Sequence, residues 1–181
     1  MACSCETFDL ENCSTLKNFL PEGYSYRVCA FEECAGQVGN FSATIRLPLT
    51  TEKETAKWFK LLQAKSSTIW RVSHSYTGSK KDSGKSNIYR RRFFCKLGSR
   101  QETLKETKYS RNKRERNCKA HMCHVLKHAK NKKGTTRSTD PHRKSGYPFK
   151  CVITNIHNHE PNGAEVLRQR DVSKETRDKL P

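Results

Sequence analysis

The sequence predicts an α+β fold: a small antiparallel sheet of about four strands, with a covering N-terminal helix and short C-terminal helices. Three observations predict it. Four stretches between residues 67 and 159 alternate apolar and polar side chains at period two, as strands do. A single stripe at helical spacing precedes them. Two cysteines and two histidines fall at the ends of the alternating stretches, in the pattern Cys95-x22-Cys118-x38-His157-x-His159. With 33% hydrophobic and 30% charged residues, the chain lacks the makings of a large apolar core, and a metal ion would offset that shortage.

Residues 1–49 read as an acidic, Cys-rich lead-in, partly disordered, with five of the nine cysteines. Within it Phe41 to Leu49 alternates like a strand and is stopped by Pro48. Thr51 to Lys65 is the clearest helix. Thr51 and Glu54 form a capping box, acids occupy the first turn, and Trp58, Phe59, Leu61 and Leu62 make an apolar stripe that covers one face of the sheet. Ser67 to Thr77 then places Trp70, Val72, His74 and Tyr76 on one face and Ile69, Arg71 and Ser73 on the other. A Gly/Ser/Lys-rich hairpin loop at 78–86 leads to a return strand, Asn87 to Lys96. There Tyr89, Arg91, Phe93 and Cys95 face one way and Arg90 and Arg92 the other. After a charged excursion come a third strand over Cys118–His128 and a basic loop over Asn131–Gly146. The fourth strand, Tyr147–His159, follows, with Ala164–Leu180 reading as one or two short helices. The domain is thus expected at 50–160, with 161–181 a helical extension.

His157 and His159 lie two apart, so in an extended strand their imidazoles project together. Two thiolates and two imidazoles make a closed tetrahedral zinc site, and Cys95 and Cys118 stand at the right strand ends to complete it. One structural Zn2+ is therefore expected, on Cys95, Cys118, His157 and His159. His121, Cys123, His124, His128 and Cys151 are nearby alternatives, read mainly as core or surface residues. The adjacent H-N-H triplet at 157–159 is not the nuclease constellation of that name, whose residues come from separate parts of a site. Catalytic zinc also needs an open coordination position and a base. No Gly-rich phosphate loop or Ser-His-Asp set is present, and no enzyme activity or small-molecule substrate is expected.

The net charge is +18, and residues 51–181 carry +21 of it against −3 on residues 1–50. Solubility asks for about 2–8 charges. The excess, concentrated in one part of the chain, points to a polyanion. A two-stranded ribbon fits the major groove of duplex DNA, and Arg71, Lys80, Lys81, Lys85, Arg90 and Arg92 lie along or beside the 67–96 hairpin. Lys113, Arg114 and Arg116 would add phosphate contacts. No apolar run approaches the ~20 residues of a spanning helix, and no signal peptide is apparent. Clustered Cys and His suit a reducing compartment, so a nuclear location and double-stranded DNA are expected. Two rivals stand beside this: an RNA or single-strand binder stacking bases on Trp70, Tyr76, Tyr89, Phe93 and Phe94, and the front part of a transposase that continues past Pro181.

The segments W-R-V at Trp70–Val72, Y-R-R-R-F-F-C at Tyr89–Cys95, C-K-A-H-M at Cys118–Met122 and I-H-N-H-E at Ile156–Glu160 together resemble the zinc DNA-binding domains of the WRKY and glial-cells-missing superfamily. The chain lacks the W-R-K-Y-G-Q-K string and the short Cys pair of WRKY proteins. Its wider spacing is nearer the FLYWCH fingers and the N-terminal modules of Mutator-like transposases (far-red-impaired-response type). The resemblance implies a structural zinc on Cys95, Cys118, His157 and His159, one strand entering the major groove, and a role in transcription regulation or a transposase-derived module.

Overall fold

The computed structural model describes residues 8–34, 39–77, 87–96, 118–128 and 140–159. Its centre is one open antiparallel sheet of six strands: β1 (Arg27–Glu33), β2 (Phe41–Leu47), β3 (Trp70–Thr77), β4 (Asn87–Cys95), β5 (His121–Lys127) and β6 (Phe149–Asn155), in the order β1-β2-β6-β5-β4-β3. Helix α1 (Ser14–Phe19) precedes β1, α2 (Glu52–Ser66) links β2 to β3, and the single turn α3 (Pro141–Lys144) precedes β6.

The expected four strands become six. The two extra ones lie in the stretch that composition assigns to an acidic lead-in. β2 alternates cleanly, and Phe41, Ala43, Ile45 and Leu47 are buried. It pairs residue for residue with β6, from Phe41 opposite Asn155 to Leu47 opposite Phe149. β1 hides from pattern reading because its register shifts between Val28 and Ala30, so that Cys29 is an extra residue and the alternation breaks. Leu16, Phe19 and Leu20 of the same region are core residues. The short C-terminal helices expected at 164–180 lie outside the described residues.

Helix α2 forms where the sequence places it. Thr51 Oγ1 accepts from Glu54 N at 3.2 Å, and the Glu54 carboxylate accepts from Thr51 N at 3.0 Å and Thr50 N at 2.8 Å. These bonds satisfy donors that the helix itself leaves unpaired and fix the entry of the chain. The helix buries Thr55, Trp58 and Leu62 against the sheet, while Leu61 stays 43% exposed. Under it the strands present one continuous apolar face, including Leu47, Phe149, Leu126 and Tyr89 in one cross-strand row and Ala43, Ile153, Met122 and Phe93 in another.

A histidine sits in the middle of this face. His124 is 2% exposed and ringed by Trp58, Phe59, Phe93 and Phe149 at centroid distances of 5.5, 5.1, 4.6 and 5.2 Å. Burial, aided by the charge of Arg91, pushes its pKa down to about 3. The unfolded chain binds a proton there below the ordinary value of about 6.5 that the folded chain refuses, so stability is complete above that value and falls as pH drops toward 3. His124→Leu is therefore expected to flatten the stability profile over that window in denaturant titrations run at several pH values.

The strand β3 departs from simple alternation. Its register with β4 shifts between Val72 and His74, pairing Val72 with Phe93, His74 with Arg92 and Tyr76 with Arg90. Trp70 thus faces the core, buried at 6% exposure, whereas His74 and Tyr76 pass to the opposite face with Arg71. The single face expected for Trp70, Val72, His74 and Tyr76 is split by one irregularity.

Candidate metal centre and basic face

Cys95, Cys118, His157 and His159 converge at one end of the sheet, and one ligand atom from each lies within 4.8 Å of all the others. Each arrives by a different route. Cys95 ends β4, its N–H bonded to the Ala120 carbonyl at 3.1 Å. Cys118 opens the extended approach to β5, and the two histidines follow the last residue of β6. Sulfur and ring nitrogen approach at 3.3 Å for Cys95 Sγ with His159 Nε2 and for Cys118 Sγ with His157 Nδ1, and the two imidazoles meet at 3.3 Å. Bond lengths of about 2.0–2.3 Å around a tetrahedral zinc place ligand atoms roughly 3.3–3.8 Å apart. The three separations sit at the short end of that range, so the donor set fits a metal ion of that size.

The surroundings prepare the ligands. Asn155 Oδ1 accepts from His157 Nε2 at 3.1 Å, which puts the ring proton on Nε2 and leaves Nδ1 for a metal. Asn155 Nδ2 in turn donates to the Gly39 carbonyl at 2.9 Å, and Asn40 Oδ1 accepts from His157 N at 3.2 Å. Gly39 adopts φ +91°, a conformation glycine tolerates best. Hydrogen bonding from Cys95, and then from His157, lowers the Cys118 thiol pKa against the opposing effect of burial. Cys95, Cys118 and His157 are buried and His159 half-buried, as a structural site requires. Nothing in the local sequence signals Asn40 and Asn155, because their role depends on β2 pairing with β6.

The alternative ligands are dispersed. Cys123 pairs with Val152 and faces away from His124, which is locked among aromatic rings. Cys151 is fully buried opposite His124, with burial raising its thiol pKa well above normal. Among the described residues the Cys95–Cys118–His157–His159 group is the one cluster that could hold a metal.

The face of the sheet opposite α2 carries the cations. Arg90 and Arg92 are exposed and Arg71 half-buried, all three on this face beside Tyr76, His74 and Phe94. Trp70, Tyr89 and Phe93 belong to the core instead, while Tyr76 is 41% exposed. Lys80, Lys81, Lys85, Lys113, Arg114 and Arg116 lie outside the described residues. Sequence spacing does not show how far the cationic row continues. Arg27 opposes Arg46, Arg46 opposes Lys150, Lys150 opposes Val125 and Val125 opposes Arg90, so four cations share a row across five strands at ~4.8 Å per strand, interrupted at Val125 and with Arg46 buried against Asp140. Its members come from strands far apart in the chain, brought into line only by sheet pairing.

The described residues thus define an α+β protein with an open antiparallel sheet, a potential metal cluster at one end and a basic face turned away from α2. Comparison with protein-family models, curated proteins and solved structures finds no match. Among the described residues no helix is long and apolar enough to cross a membrane.

Proposed function

We propose that the chain is a zinc-stabilised module that binds double-stranded DNA, in a nuclear transcription regulator or transposase-derived protein of the WRKY and glial-cells-missing type, without catalytic activity. The observation that carries the zinc assignment is the meeting of two thiols and two imidazoles from three strand ends at tetrahedral spacing. A buried site with four protein donors leaves no open position for a reacting water, which favours a structural over a catalytic ion.

The DNA reading is supported by where the charge lies. Strand β3 is an edge strand, and every residue from Val72 to Thr77 is exposed. An edge hairpin bearing Arg71, Arg90 and Arg92 can enter a groove about 12 Å wide without moving the core. The cations would hold phosphates and the edge side chains would read bases. Exposed Tyr76 and half-buried Phe94 on the same face favour the single-strand alternative, which competition between duplex and single strand separates.

Replacing Arg71, Arg90 and Arg92 together by Gln is expected to weaken duplex binding and to lower the dependence of log K on log salt by about 0.9 for each phosphate no longer neutralised. Fluorescence anisotropy across a salt series measures both. An unchanged slope, or single strand outcompeting duplex, would overturn the duplex assignment.

A further inference from the structure

Cys29 belongs neither to the metal cluster nor to the basic edge. It is the extra residue of the β1 bulge, and bulges re-aim side chains. Here the bulge brings Cys29 Sγ to 3.5 Å from His142 Nε2 on α3. His142 is 7% exposed, and its backbone is fixed by Asp140 Oδ1, which accepts from His142 N at 3.1 Å and from Arg143 N at 3.4 Å. Asp140 Oδ2 accepts from Arg46 Nη2 at 2.8 Å. Arg46 is itself 7% exposed, and its Nε and Nη1 make no hydrogen bond among the described residues. Arg27 stands opposite Arg46, its guanidinium over the Tyr147 ring at 4.0 Å. Cys29 is half-buried and lines an open groove of about 430 Å³ with Ala30, Glu32, Ser42, Thr44 and Val152.

We propose that Cys29 and His142 form a nucleophilic thiol–imidazole pair, reached through this groove by small uncharged electrophiles of the hydroperoxide class. A nucleophile with a base within hydrogen-bond reach is the core of such chemistry, and Asp140 fixes the backbone that carries the base. Reactive cysteines sit in electropositive, partly exposed surroundings; Arg27 and Arg46 place positive charge near His142, Arg46 being ion-paired with Asp140. Burial, with Arg46 adding to it, holds His142 below its ordinary pKa, which favours the neutral ring. Glu32 is the one charged residue among those lining the groove, which disfavours an anionic substrate.

In the step, the thiol proton passes to His142 Nε2 and the sulfur lone pair attacks the terminal oxygen of the hydroperoxide. The S–O bond forms as the O–O bond breaks, and the departing alkoxide takes the proton back from the imidazolium. Cysteine is oxidised to sulfenic acid and the hydroperoxide is reduced to the alcohol.

The test uses the full chain, hydrogen peroxide and iodoacetamide as probes, and peptide mass spectrometry to follow each cysteine. Cys34, half-buried and just past the same strand, is the internal control. Cys29 is expected to react about tenfold faster than Cys34 at neutral pH, with His142→Asn removing that advantage and leaving Cys34 unchanged. A wild-type Cys29 rate at or below that of Cys34 overturns the proposal whether or not the variant folds. So does a folded His142→Asn protein that keeps the full rate.

Discussion

Cys118→Ser is expected to release the metal ion and, with it, the organisation of the end of the sheet where Cys95, Cys118 and the two histidines meet. Structural zinc in small domains contributes on the order of 10 kcal/mol of apparent binding energy. Cys95, Cys118 and His157 are buried there with Trp70, and without an ion the cluster is a set of polar groups packed on one another at 3.3 Å. Metal analysis should find one equivalent in the wild-type chain and none in Cys118→Ser, with the thermal midpoint falling in step. Chelation of the wild type should reproduce the variant, and added zinc should reverse it. A metal-free wild type with an unchanged midpoint would show that no ion holds this end together. The result also separates the cluster from its neighbours, since Cys123 and His124 face opposite sides of the sheet and cannot take over.

The four candidate ligands are legible in the sequence because each sits at the boundary of a recognisable alternating stretch, and a metal tetrahedron would demand such convergence. Helix α2 is legible for a local reason too: its capping box and stripe lie within about one short segment, Thr51 to Ser66. What stays hidden depends on sheet pairing between distant segments. β2 takes its place only through β6, far along the chain, and β1 only through β2. The alternation of Phe41 to Leu49 is legible as a strand although its partner is not, and the acidic composition of residues 1–50 masks β1. The bulges in β1 and β3 defeat period-two reading in a more specific way: one inserted residue exchanges faces for everything beyond it. At β3 that exchange carries His74 and Tyr76 to the cationic side, and at β1 it turns Cys29 toward α3.

Trp58→Ala is expected to cost about 3–5 kcal/mol, the range for truncating a large buried aromatic residue. Trp58 has no exposed surface and lies 5.5 Å from both Phe149 and His124, so its removal opens the centre of the layer between α2 and the sheet. Its indole N–H also donates to Tyr26 Oη at 3.0 Å, while that hydroxyl donates to the Pro21 carbonyl at 2.7 Å. The side chain therefore ties α2 to the segment entering β1 as well as filling space. Trp58→Phe keeps most of the volume and removes the N–H donor, so it should cost about 1 kcal/mol. Denaturant titrations of both variants measure the difference, and a Trp58→Ala cost below that of Trp58→Phe would show that α2 is not the principal cover of the sheet. Because the metal cluster lies at the sheet end defined by Cys95 and Asn155, and Trp58 packs toward Phe149, the two contributions are tested separately. Zinc that binds only the folded chain should raise the Trp58→Ala midpoint by mass action, whereas Cys118→Ser should show no such response.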